Sequence, residues 1–195
     1  MPIFPDMYIT LMPVILAGIA NMVFMKMPGF TILKRPIDSG IILPDKRRLL
    51  GDNKTWKGFL GLIFLCIFFM VIWGFIVGSS KILSGHDAFY SEHLNSPQFN
   101  LLTGLALGLA YALFELPNSF MKRRLGIAAG RTPKGIKGLL FLILDHTDSM
   151  FGCILVVALL LPMGLLNYLT WVAAAGATHL TITYGLFIMK IKDWV

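Results

Sequence analysis

The sequence predicts an all-α membrane protein with about five transmembrane helices, and three observations carry that prediction. Of 195 residues, 56% are hydrophobic and only 14% charged, too apolar and too evenly so for a water-soluble domain. Five stretches of the chain are long enough to cross a hydrocarbon core of about 30 Å, which takes roughly 20 helical residues. Lysine and arginine fall almost wholly in alternate connections between those stretches, the charge asymmetry that orients membrane helices.

The first span is Tyr8–Met25; no basic side chain precedes it, so it reads as a retained helix and not as a cleaved leader. Lys26–Lys57 follows, a loop holding eight Lys and Arg, and then the second span, Gly58–Gly78. The connection Ser79–Gln98 contains Lys81 alone. A third span runs Phe99–Leu116, where Pro117 is expected to break the helix, since proline lacks the backbone donor and crowds the preceding turn. The loop Pro117–Lys137 carries six basic residues.

The fourth span is expected around Asp148–Leu161. Apolar character begins at Gly138, is broken by Asp145-His146-Thr147-Asp148-Ser149 and resumes as far as Pro162, a pattern that suits a helix whose polar start sits at the interface. Tyr168–Met189 is the fifth span, followed by Lys190 and Lys192, for which attraction to lipid head groups is a sufficient reading. The expected topology places the N-terminus outside and both basic loops in the cytoplasm, in one integral domain, residues 1–195, of the cell membrane.

Other features narrow the function. Nineteen glycines suit helices that approach closely in lipid. Cys66 and Cys153 lie inside apolar runs, placed for neither a disulfide framework nor a zinc site. The excess of cations has no aromatic-interleaved platform or nucleic-acid motif beside it, so no nucleic-acid partner is expected. His86 and His93 fit no compact metal signature, and Asn53-Lys54-Thr55, formally a glycosylation sequon, falls on the expected cytoplasmic side.

The chemistry gathers in two places. Lys34–Gly58 combines glycine, proline and many donors, a composition able to cradle phosphate, although it lacks the glycine spacing of a P-loop. Asp38, Asp45 and Asp52 suit neutralising partners for that loop's own cations, and Trp56 suits an interfacial anchor. Asp145 and Asp148, three apart, share one helix face and could share a hard divalent cation such as Mg²⁺, which takes few protein carboxylates and completes its shell with water and phosphate. A D-x-x-D pair is also compatible with plain ion pairing to a nearby Lys or Arg. Its apolar flanks argue for function, since acids inside a membrane are costly.

Glu115 and Asn118 add oxygens, and Lys122-Arg123-Arg124 adds charge. His146 suits a hydrogen-bonding neighbour and His179 a helix–helix contact. Together these are the parts of a phosphoryl- or nucleotidyl-transfer site.

The residues also carry a resemblance. Ser119-Phe120-Met121-Lys122-Arg123 followed by Leu144-Asp145-His146-Thr147-Asp148-Ser149 resembles the signature of CTP-dependent phosphatidate cytidylyltransferases. Three segments, Pro36–Gly40, Gly51–Gly58 and Glu115–Gly126, are more similar to the CDP-archaeol synthase branch. The interval Ile127–Ile143 lacks the Lys-Asp pair and the His-Gly-Gly run of the phosphatidate enzymes, and His146 stands where those have Arg.

The resemblance implies Mg²⁺-dependent transfer of CMP from CTP to a membrane lipid phosphate, with release of pyrophosphate at the cytoplasmic face. By position it implies Asp145 and Asp148 as metal ligands, with Lys122 and Arg123 on phosphates. It implies Asp52, Asn53, Lys54, Thr55, Lys57, Asn118, Ser119 and Arg124 as the surrounding substrate-binding set. The implied partners are CTP, the lipid phosphate and the bilayer, with a homodimer also compatible. Two other classes compete: CDP-alcohol phosphotransfer, which needs four motif aspartates, and a non-enzymatic lipid- or ion-binding protein, which favours acids spread across several spans.

Overall fold

In a computed structural model that describes residues 4–131 and 133–190, the chain is helical throughout its named elements. The long helices are α1 (Phe4–Lys26), α2 (Trp56–Gly78), α5 (Pro97–Arg124), α6 (Gly135–Leu160) and α7 (Leu165–Ile188). Two short helices, α3 (Lys81–His86) and α4 (Ala88–Glu92), fold the connection between α2 and α5. All five long helices are long and apolar enough to cross a membrane, in agreement with the predicted number. Lys192 lies outside the described residues.

Two boundaries differ from the sequence expectation, and the differences build the site. Pro117 does not end α5; it lies inside a helix that continues to Arg124. The proline removes one backbone donor, but α5 is clasped along its length by α2 on one side and α6 on the other, and that packing holds the helix together. The fourth helix begins at Gly135, thirteen residues before the expected start at Asp148, and Asp145 and Asp148 lie near its middle. Its polar run does not interrupt it, because the groups are satisfied locally. The His146 ring meets Leu142 O at 2.8 Å, Thr147 Oγ1 donates to Ile143 O at 2.9 Å, and both aspartates find a partner on α5.

The helices pack in chain order, α1 on α2, α2 on α5, α5 on α6 and α6 on α7, while α1 and α7 meet only sparsely. The outward faces stay apolar, with Phe64 and Phe75 at 66% and 70% exposure, as a lipid-facing surface requires. Small residues bring the helices close. A Cβ on Gly104 would lie 2.7 Å from Ile67 Cα, and one on Gly108 2.7 Å from Ile63 Cα, so α5 presents a G-x-x-x-G face against the α2 backbone. Replacing Gly108 with valine is expected to force the two apart and cost about 2 kcal/mol or more. Thermal unfolding in detergent, followed by the loss of helical circular dichroism, reads this directly.

In the connection between α2 and α5, Asp87 caps α4 and accepts from Trp73 Nε1 at 3.1 Å, while the rings of His86 and His93 meet Asp6 and Leu160 O, respectively, at 2.8 Å. These are tethers between connection and bundle.

Candidate active site

Because α5 continues past Pro117, Glu115, Asn118, Ser119 and Lys122 recur at helical spacing along one wall of a shared cavity, and Asn118 and Lys122 reach α6. Asn118 Nδ2 donates to Asp145 Oδ1 at 2.7 Å and to Asp148 Oδ2 at 2.8 Å, so a single amide gathers both carboxylates. Lys122 Nζ reaches the other oxygen of Asp145. One turn back, Glu115 receives Lys54 from the first basic loop. Burial pushes the Lys54 ammonium down, but the Glu115 carboxylate beside it outweighs this and holds it above its ordinary value.

These groups line a cavity of about 230 Å³. Lys54, Lys122, Arg123 and Arg131 bring positive charge to its wall, among Glu115, Asp145 and Asp148. Among the described residues, Asn118 Oδ1, Arg123 Nε and Asn21 Oδ1 are buried without a hydrogen-bond partner, and all three residues line this cavity. Native folds pair most buried polar atoms, so orphans that converge on one cavity mark a place built for a ligand.

The donor set fits a hard divalent cation. No three His, Cys, Asp or Glu side chains among the described residues form a complete cage. Two carboxylates are nonetheless what magnesium takes from a protein when phosphate and water supply the rest.

The structure gathers some of the predicted residues and disperses others. Asp145, Asp148, Lys122, Arg123, Asn53, Lys54, Asn118 and Ser119 line the cavity. The remaining four are engaged elsewhere. Thr55 caps α2, its Oγ1 accepting from Gly58 N at 3.3 Å. Lys57 is fully buried and donates to Met25 O and Met27 O at 3.2 and 2.8 Å, closing the end of α1 beneath the Phe24 ring. Asp52 pairs with Arg48 at 2.6 Å. Arg124 grips Asp45 at 2.6 Å and the carbonyl of Arg48, tying the two basic loops together.

Asp38 organises the first loop. It receives Arg48 Nη2 at 2.7 Å and the backbone N–H groups of Leu50 and Gly51 at 2.9 and 3.3 Å. Gly51 itself needs its left-handed φ of 106° to turn there. Burial pushes the Asp38 carboxyl up, but Arg48 and the three N–H groups of Leu50, Gly40 and Gly51 together hold it down at about 2.

A carboxyl depressed on folding stabilises above its unfolded value near 3.8, and that contribution disappears as pH falls through about 2. The first loop is therefore expected to loosen between pH 4 and 2, with a loss of about 1–2 kcal/mol after solvent screening. Hydrogen exchange at Leu50 and Gly51 should rise over that window in the wild type, and it should already be raised at neutral pH in Asp38→Asn.

Sequence reasoning missed Asn21, Tyr111 and Arg131, which also line the cavity. Asn21 had a readable signal, a lone amide inside an apolar span. Tyr111 looks like any aromatic in a membrane helix, and only its contact with His179, Oη to Nε2 at 3.4 Å, distinguishes it.

A family model described as CarS-like CDP-archaeol synthase matches residues 3–195. The CDP-archaeol synthase of Aeropyrum pernix is 30% identical over 171 residues, covering 82% of this chain and 77% of that protein. That of Archaeoglobus fulgidus is 31% identical over 166 residues, covering 81% and 82%. A solved structure of an intramembrane enzyme for archaeal membrane lipid biosynthesis superimposes with a TM-score of 0.62 at 27% identity, over 90% of each chain.

Proposed function

This chain belongs to the CDP-archaeol synthase family, a family of CTP-using cytidylyltransferases, and from that premise we propose how its cavity carries out the transfer. CTP lies with its triphosphate among Lys54, Lys122, Arg123 and Arg131, and the phosphate of an archaeol-type lipid meets it at the carboxylate pair. The observation that carries this reading is the single Asn118 amide joining Asp145 to Asp148 in a cavity that Lys54, Lys122, Arg123 and Arg131 also line.

The acceptor's phosphate oxygen attacks the α-phosphorus of CTP. A bond forms between that oxygen and the α-phosphorus, the bond from the α-phosphorus to the bridging β-phosphate oxygen breaks, and pyrophosphate leaves with the released electron pair. A phosphate monoester has its second pKa near 6, so at neutral pH the nucleophile is already largely ionised and no protein base is required. That leaves positioning and charge neutralisation as the work of the side chains. Asp145 and Asp148 would hold Mg²⁺, which supplies Lewis-acid neutralisation at the reacting phosphates. Lys54, braced by Glu115, and Lys122, braced by Asp145, present ammonium groups in fixed places without needing reorganisation.

The sixteen basic residues of the two loops and the tail, against Lys81 alone on the other side, support a site that opens to the cytoplasm. The cavity is lined by all five long helices and the loops of one chain in one membrane domain, so the reading needs no second copy. CTP labelled at the α-phosphate, incubated with the purified protein and an archaeol-type lipid phosphate, is expected to pass its label to the lipid. Label at the γ-phosphate should leave in pyrophosphate. An α-label that stays in the aqueous phase would contradict the reaction.

A further inference from the structure

Between α1 and the part of the first basic loop that enters the cavity runs the segment Lys26–Arg35, none of whose side chains lines the cavity. Met27 and Phe30 are exposed, and Ile32, at 76%, is more exposed than the lipid-facing Phe64 and Phe75. Lys26 precedes them, and Lys34 and Arg35 follow. Exposed apolar groups bracketed by cations are the composition of a chain that lies in a membrane interface and not in water.

The segment is pinned at both ends. Lys57 holds Met25 O and Met27 O where it leaves α1, and Trp56 N donates to Arg35 O at 3.1 Å where it meets the start of α2. Between them Leu33 N donates to Phe30 O at 3.0 Å and closes a single 3₁₀ turn, Thr31–Lys34. Gly29 and Phe30 enter that turn with left-handed φ of 97° and 52°. Glycine adopts this freely, but a phenylalanine there is strained and persists only where its surroundings fix it. Its ring meets that of Phe24, 5.4 Å between centres, which keeps the turn against α1.

Helix lengths give the depth. With 23 residues α1 spans about 34 Å, close to a hydrocarbon core of about 30 Å, so the chain leaves it at head-group level. With 28 residues α5 spans about 42 Å, and Arg124 at its end grips Asp45, which carries the turn at Lys46 farther from the membrane. Exposed Val23 on α1, and Trp56 and Leu60 on α2, continue the lipid-facing surface to the segment.

We propose that Lys26–Arg35 is an interfacial anchor: Met27, Phe30 and Ile32 seat among the outermost chain carbons of the surrounding bilayer, and Lys34 and Arg35 meet its anionic head groups. Continuity with the lipid-facing helices and the charge of the flanks select the bilayer as the occupant. The anchor fixes the height of the loop that delivers Lys54 to Glu115. This anchoring requires nothing of the transfer reaction.

A nitroxide on Ile32→Cys tests this in the full chain, in vesicles of phosphatidylcholine with phosphatidylglycerol. Cys66 and Cys153 are buried in the core, so the label goes to the introduced thiol. The label at residue 32 is expected to collide more with oxygen than with a water-soluble nickel chelate, and a label on Lys46→Cys is expected to show the reverse. Adding Lys34→Gln and Arg35→Gln should shift the residue 32 label toward the chelate in these vesicles and leave it unmoved in phosphatidylcholine alone.

A label at residue 32 as open to the chelate as the one at residue 46 places the segment in water and overturns the proposal. A label shielded from both reagents and broadened by a second label makes this face a contact between copies, which overturns it equally. A residue 32 label that does not move on neutralising Lys34 and Arg35 overturns the head-group contact. Should Ile32→Cys lose helical circular dichroism, Met27→Cys reads the same seat from the α1 side.

Discussion

Replacing Asp148 with asparagine is expected to lower kcat by about three orders of magnitude while leaving the protein folded and inserted. The two halves of that expectation have separate physical grounds. The substitution is isosteric, and the new amide oxygen still accepts from Asn118 Nδ2, now 2.8 Å from the carboxylate, so the contact between α5 and α6 survives. What is lost is one of the two anionic oxygens that the Asn118 amide gathers, and with it the charge that would grip a divalent cation. Helical content, thermal stability and turnover measured on the same preparation separate these effects. Full turnover in Asp148→Asn removes that residue from the chemistry, and loss of helical content would make its role structural.

Truncating Lys122 to alanine is expected to reduce kcat/KM for CTP about a hundredfold, through loss of one preorganised positive charge beside the transferring phosphate. Lys122 is well placed to show this, because its ammonium pairs with Asp145 and lies 5.5 Å from the centre of the Phe141 ring. Its removal leaves Asp145 without its ion-pair partner in a cluster with Asp148 and Glu115, so the variant should need less divalent cation to reach half-maximal rate. Steady-state kinetics across a magnesium series reads both effects. Unchanged kinetics would take Lys122 out of the site, whatever its distance from Asp145.

The helix count was legible because a membrane span is a statement about length and hydropathy, both carried by the chain itself. Helix ends were less so, since Pro117 and the polar run Asp145–Ser149 are breakers by local rules and become tolerable only through partners on neighbouring helices. The site followed the same division. Asp145 and Asp148 could be paired from their spacing, but the residue joining them, Asn118, comes from another helix and only its proximity reveals the role.

Lys54 and Lys57 show how far a motif can be read. Three positions apart in one basic loop, they are chemically equivalent in sequence, yet one reaches Glu115 in the cavity and the other closes the end of α1. Charge type could be read from the sequence and destination could not. Thr55, Asp52 and Arg124 divide from Asn53 and Arg123 for the same reason, each being consumed by a cap or an ion pair that holds the loops in place.

The most direct measurement is electron paramagnetic resonance of Mn²⁺, standing in for magnesium, with purified protein and CTP. The wild type is expected to give a protein-bound signal that CTP strengthens, and the Asp145→Asn/Asp148→Asn double variant is expected to give only the spectrum of manganese and nucleotide in solution. An identical bound signal in both proteins would contradict the claim that these two carboxylates hold the cation beside the triphosphate.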